Sequence, residues 1–209
     1  MKFSGLIFVI AGVLFAHYLT AGKHGPIAQI TPSLPEAKVD TPQAHRIIID
    51  SFAKAEAAVI EGDGNALMAS AKVLEDLGAK PLAGTENAAE LWALKASNTA
   101  GFEPDNTARY RGRVKGPAYR RQQVLAGSSD EIIEIYYAAE PAVMTLSPSK
   151  NGALNWEVIE TDASGEPVCS TEPIEEIQTC NFTPLWTGQY RIKITNNSTQ
   201  DVTYIFVTN

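Results

Sequence analysis

Histidine is scarce in this chain of 209 residues: there are three, His17, His24 and His45, all in the first quarter. The remaining length therefore holds no Ser-His-Asp or Cys-His set, and a multi-histidine metal site is next to excluded. His45 has no partner motif around it and is expected on a helix surface. Cysteine is as rare, with Cys169 and Cys180 the only two. Basic residues are outnumbered, 17 Lys and Arg against 24 Asp and Glu for a formal charge of −7. Nucleic acid is not an expected partner, because its binding draws most of its affinity from neutralised phosphates. Neither a phosphate-cradling Gly-Lys loop nor a dinucleotide fingerprint occurs. The length suits one sizeable domain, or a small one beside a modest one, so two cysteines supplement a core and do not replace it.

What is present begins with an export-type segment, residues 1–22, "MKFSGLIFVIAGVLFAHYLTAG". Lys2 precedes an apolar stretch from Phe3 to Phe15, and small residues come after it near Ala21 and Gly22. Either the segment is a signal peptide, removed on export, or it stays as a membrane anchor, the one case in which membrane contact is expected. No cysteine follows the apolar stretch, so a lipidated N-terminus is not available. In an exported chain an even pair of cysteines leans toward an oxidised bridge and away from redox or zinc chemistry. Residues 23–40, with Pro26, Pro32 and Pro35, read as an extended tether.

Residues 41–100 carry helical periodicity. Thr41-Pro42 opens a helix with the stripe Ile48, Phe52, Ala55 and Val59, ending near Gly62. Asp63-Gly64-Asn65 opens a second, with Leu67, Ala71, Leu74 and Leu77 and a close at Gly78. A third, from about Thr85 to Ser97, carries Leu91, Trp92 and Leu94. Helices this small bury only narrow stripes, so they are expected to lie on each other and on the C-terminal domain. A boundary is expected between Gly101 and Asn106, after which the period changes to two. "ARYRGRV", "EIIEIYY" and "YRIKIT" read as half-buried strands, the second with Ile133, Ile135 and Tyr137 on one side. Turn clusters such as Ala126-Gly127-Ser128 and Asn196-Asn197-Ser198 punctuate residues 106–209 as in an all-β sandwich. "DVTYIFVTN" is apolar on both faces and is expected as an interior strand or one covered by the helices. The fold class is segregated α+β: a helical hairpin or three-helix segment, then an antiparallel, jelly-roll-like β-sandwich.

The β half resembles the bacterial pre-peptidase C-terminal domain, a compact sandwich appended to secreted enzymes. "RYRGRVKGPAYRRQQVLAGSSDEIIEIYY" is similar to that family's opening hairpin, Ala-Gly turn and following strand. "TDASGEPV" is similar to its Asp-x-x-Gly turn, and "TGQYRIKITNNSTQDVTYIFV" to its closing Gly-x-Tyr hairpin. Where the family often has an Asp-Leu-Asp run, this chain has Asn155 and Glu157, so the calcium site known in some members is not carried over; no metal or cofactor is assigned. In this frame Cys169 ends the strand after the Asp-x-x-Gly turn and Cys180 opens the approach to the closing hairpin. A bridge would clasp "STEPIEEIQT" and contribute about 2 to 3 kcal/mol; the alternative is a reactive thiol. Trp186-Thr187-Gly188 would be a tight turn with a packed indole that delivers Tyr190 into the core.

Two surface features carry the functional reading. Arg109, Arg111, Arg113 and Lys115, with Arg120 and Arg121 one turn later, form either a contact strip for an anionic partner or an edge strand guarded by charge and matched by Glu131 and Glu134. Trp156 and Trp186, with Tyr119 and Tyr136, form either a sugar-stacking platform or core filling. Glu160 with Asp162, and Glu172, Glu175 and Glu176, read as solvated carboxylates as readily as acid-base or cation-attracting groups. No nucleophile-base set is present. The chain is thus read as an exported, periplasmic or secreted, non-catalytic envelope protein that binds a polysaccharide, a lipid head group or another envelope protein. The alternative is an accessory or inhibitory module for a secreted hydrolase.

Overall fold

A computed structural model of the chain describes residues 40–99, 116–149, 152–161 and 165–209. The export segment, all of the tether but Asp40, the boundary at 101–106 and the strand with Arg109, Arg111, Arg113 and Lys115 lie outside the described residues, as does Asp162.

Helix α1 spans Thr41–Glu61. Its cap is Asp40 and not the Thr41 hydroxyl: the carboxylate accepts from the Gln43 amide at 2.8 Å, placing Thr41 and Pro42 in the first turn. The helix ends at Gly62, whose φ of 70° is a left-handed conformation that glycine adopts without a Cβ penalty. Asp63 caps α2 (Gly64–Asp76), accepting from the amides of Asn65 and Ala66 at 3.0 Å each. After β1 (Lys80–Pro81), α3 runs Ala88–Ser97. It starts three residues later than its periodicity suggests, because the Tyr119 hydroxyl, from a distant strand, accepts from the Ala88 amide at 2.8 Å and fixes the first turn there.

The β half contains β2 (Ala118–Val124), β3 (Ser129–Tyr136), β4 (Ala142–Pro148), β5 (Asn155–Glu160), β6 (Cys169–Ser170), β7 (Gln178–Phe182), β8 (Gly188–Thr195) and β9 (Val202–Thr208). One sheet has the order β1-β2-β9-β4-β7 and the other β3-β8-β5-β6. All pairs are antiparallel except the short β1–β2 contact. Between the sheets lies a core that includes Met144, Leu146, Trp156, Val158, Tyr190, Ile192, Ile194, Tyr204 and Phe206.

The helices cover the other face of the β9-containing sheet. Phe52, Leu74, Trp92 and their alanine neighbours pack with Tyr119 and Val207, with Ile205 at the margin. Phe52 is central to this second core, meeting the rings of Trp92 and Tyr119 edge-on at centroid distances of 4.9 and 5.3 Å. β9 is thus interior and buried on both faces, which is why its sequence is apolar at both parities. Val59 leaves the expected stripe and is exposed, its place on the buried side taken by Ala58. Leu94 is exposed too, and α3 instead buries Trp92 with Ala88, Ala89 and Ala96.

His45 corrects an expectation. It is fully buried where α1 crosses β4, its Nδ1 3.0 Å from Thr145 Oγ1. It lies one turn before Ile48 and Ile49 on the same face of α1, so the helix carries it inward.

Candidate functional site

The sandwich is fastened at both lateral margins. On one, Cys169 of β6 and Cys180 of β7 form a disulfide with a Cα separation of 6.2 Å. Each strand is an edge of a different sheet, so the bond ties the two layers together as well as closing the loop between the cysteines. In that loop Ile174 is buried and bridges Leu154 through two backbone hydrogen bonds of 2.8 and 3.1 Å, while Glu172, Glu175 and Glu176 point to solvent. Among the described residues no group of three His, Cys, Asp or Glu side chains is placed to hold a metal ion. Asn155 and Glu157 are engaged elsewhere: Asn197 donates to Asn155 Oδ1 at 3.0 Å, and Lys193 lies 3.8 Å from Glu157.

On the other margin Arg120 of β2 meets Asp130 of β3 at 2.9 Å, and the Tyr204 hydroxyl donates to the same carboxylate. Burial and the neighbouring Asp130 charge push the Tyr204 phenol well above its ordinary range. Arg121 reaches the opposite way, donating through Nε and Nη2 to Glu56 Oε1 of α1 at 3.0 and 2.7 Å. The partners expected for these arginines, Glu131 and Glu134, are not the ones used. Both guanidiniums are committed within the fold, and the other four members of the basic strip lie outside the described residues.

The aromatic set divides. Trp156 is buried and meets Phe206 edge-on, Tyr119 is buried under the helices, and Tyr136 is buried with its hydroxyl 2.7 Å from Thr208 Oγ1. Trp186 is the exception: its indole is 74% exposed, not packed in the turn, although Tyr190 does enter the core as expected.

Near Trp186 lies the outer face of β3, the side on which the periodicity groups Ile133, Ile135 and Tyr137. On β3 the buried residues are Ile132 and Tyr136, and Ile133, Ile135 and Tyr137 are 58%, 53% and 59% exposed. Both parities of "EIIEIYY" carry apolar residues, and pairing of Ile132 with Ile192 and of Tyr136 with Gly188 selects the even one. On the outer face Ile133 lies beside Arg191 and then Ile159, and Ile135 beside Gln189. The chain after β3 is held against the loop before β8, since the Ala138 amide donates to Thr187 Oγ1 at 3.0 Å and the Ala139 amide to the Pro184 carbonyl at 2.9 Å. Pro184 is buried, and next to it Leu185, 84% exposed, and Trp186 stand out. Five large apolar side chains are thus exposed toward one end of the β3–β8 pair, three on or just after β3 and two in the loop before β8. The sequence signal was the surplus of apolar residues in "EIIEIYY", more than one face can bury.

No protein-family model and no curated protein sequence matches the chain. Solved structures do resemble the β half. The pre-peptidase C-terminal domain of a collagenase from Bacillus anthracis aligns over 44% of this chain and 87% of its own, with 12% identity and a TM-score of 0.39. The periplasmic inhibitor of g-type lysozyme PliG from Aeromonas hydrophila aligns over 44% and 84%, with 12% identity and a TM-score of 0.36. A carbohydrate-binding module, CBM36, solved in complex with calcium and xylotriose, aligns over 42% and 78%, with 21% identity and a TM-score of 0.27.

Proposed function

We propose that the chain is an exported, non-catalytic binding protein of the cell envelope, and that it engages a partner protein through Ile133, Ile135, Tyr137, Leu185 and Trp186. The observation that carries the reading is the exposure of these five side chains together, in a sandwich whose other tryptophan, Trp156, is buried. A contiguous apolar patch on a folded surface marks an interaction site, whereas scattered exposed residues do not. Three of the five are aliphatic, which suits a protein surface better than the flat aromatic stacking used for sugar rings. Export is supported by the disulfide, which forms and persists in oxidising compartments. A secreted hydrolase, bound as an accessory or inhibitory target, is the narrower form of the same reading.

The test compares the wild type with Tyr137→Ala/Trp186→Ala as immobilised baits in native envelope extract, with isolated envelope glycan as a second analyte. A protein retained at least about tenfold less by the variant, with unchanged melting temperature, supports the reading, since truncating an aromatic hot spot costs about 2 kcal/mol or more. Retention that ignores both substitutions overturns it. Trp186-dependent retention of glycan alone reassigns the partner to a polysaccharide.

A further inference from the structure

Among the described residues β3 is an edge strand, and its hydrogen-bonding parity can be read from its neighbour. The Asn196 amide donates to the Ser128 carbonyl at 2.9 Å, just beyond the Ser129–Thr195 pair. Antiparallel ladders alternate, so residues 130, 132, 134 and 136 exchange bonds with β8, and the backbone groups of 131, 133 and 135 face the open edge. The Glu131 amide is taken by Asp130 Oδ1 at 3.0 Å. Among the described residues, the N–H and C=O of Ile133 and of Ile135 have no partner. Two consecutive edge residues therefore offer two donors and two acceptors, and their side chains belong to the exposed apolar strip.

Between them, on the opposite face, is Glu134. It points inward between Ile132 and Tyr136, is half-buried, and makes no ion pair or hydrogen bond through its side chain among the described residues. Burial holds its carboxyl above the usual carboxylate range. At the C-terminal end of the strand is a cavity of about 580 Å³ lined by Ile135, Tyr136, Tyr137 and Glu140 together with Gly116, Pro141 and Asn209.

We infer that the open edge of β3 receives an extended segment of the partner protein with an apolar–basic–apolar sequence, its Lys or Arg seated against Glu134. This rests on the protein-partner reading above. Free backbone groups at a two-residue repeat are matched by another backbone, which a glycan or a lipid does not supply. In the added strand the residues opposite Ile133 and Ile135 would exchange backbone bonds, and the one between them would face Glu134 at cross-strand distance. A cation there gives an isolated, partly desolvated carboxylate a partner, whereas an apolar residue would desolvate it further. A second copy of this chain is a poor occupant: β3 reads "SDEIIEIY", with three carboxylates and no Lys or Arg, so self-pairing sets acid against acid. The same inward acid that bars self-association thus selects a basic guest.

The experiment is an amide-resolved NMR titration of the oxidised folded chain with blocked heptapeptides of sequence Gly-Thr-Val-Lys-Val-Thr-Gly. Comparison peptides have Lys replaced by Glu, N-methyl groups on both Val, or an N-methyl group on Lys alone. Expected are shifts centred on Ile133 and Ile135 with the Lys peptide, loss of binding for the Glu and N-methyl-Val versions, and retention for the N-methyl-Lys version, whose methyl points away from β3. Glu134→Gln should weaken the Lys peptide about tenfold, as expected for losing one charge-assisted pair. Equal binding of Lys and Glu peptides, indifference to N-methylated Val, or shifts centred elsewhere would overturn the inference. So would a Glu134→Gln variant that self-associates while the wild type binds no peptide, which makes Glu134 a guard only. If extract retention depends on Tyr137 and Trp186 but not on Glu134, the strip stands and the edge inference falls; if it depends on none of them, both fall.

Discussion

His45 shows how one residue links burial to pH. Its ring is sealed between α1 and β4, with Nδ1 on Thr145, and among the described residues Nε2 has no partner. Desolvation lowers its pKa from 6.5 to about 4. At neutral pH both folded and unfolded states hold it neutral, and it has no effect on pH dependence. As the pH falls below 6.5 the unfolded chain takes up a proton that the folded chain refuses, so stability is lost until about pH 4, where the folded ring protonates too. The loss amounts to roughly 3 kcal/mol. Between pH 7 and pH 4.5 the urea midpoint of the wild type should fall further than that of His45→Leu; parallel pH profiles would refute this. The burial of His45 was readable in retrospect, because it falls on the stripe of Ile48, Ile49 and Phe52. Its acceptor was not, since Thr145 lies 100 residues away. Asp130 poses the same problem, receiving Arg120 and the Tyr204 hydroxyl from two further strands. Asp130→Ala leaves a half-buried guanidinium and a buried phenol unpaired, and should lower the unfolding free energy by about 2 to 4 kcal/mol in urea titration.

At the scale of elements, turns and caps came from local chemistry. Gly62, Asp63 and Gly78 lie where backbone reversal requires them, and α1 and α2 end within a residue or two of where their stripes end. Strand faces did not. β8 alternates cleanly, with Tyr190, Ile192 and Ile194 inward and Arg191 and Lys193 outward, so its reading was unambiguous. β3 offers apolar side chains at both parities, and only pairing with β8 assigns them. The disulfide has a similar double character. The pairing was available from the only two cysteines, whereas its role in joining an edge of each sheet was not. Cys169→Ser/Cys180→Ser should lower stability by about 2 to 3 kcal/mol, the loop-closure contribution. An unchanged urea midpoint would mean that the sheet margins are held by packing alone.

At the largest scale the described residues form layers: helices, the β9-containing sheet, and the β3-containing sheet. The middle layer belongs to two cores at once, Phe206 facing the sandwich and Val207 facing the helices. Each helix is too narrow to bury its stripe against its siblings alone, and Tyr119 supplies both an aromatic contact to Phe52 and the first acceptor of α3. The helical layer therefore depends on the sheet that it covers.

Sequence alone determined the periods, the turn positions and the cysteine pair, because these rest on residue identity and on neighbours a few positions apart. Only the tertiary structure decided which face of β3 meets solvent, that Trp156 is core and Trp186 surface, and which acids Arg120 and Arg121 meet. Those outcomes are set by register and packing between segments far apart in the chain, where a shift of one residue reverses what is buried.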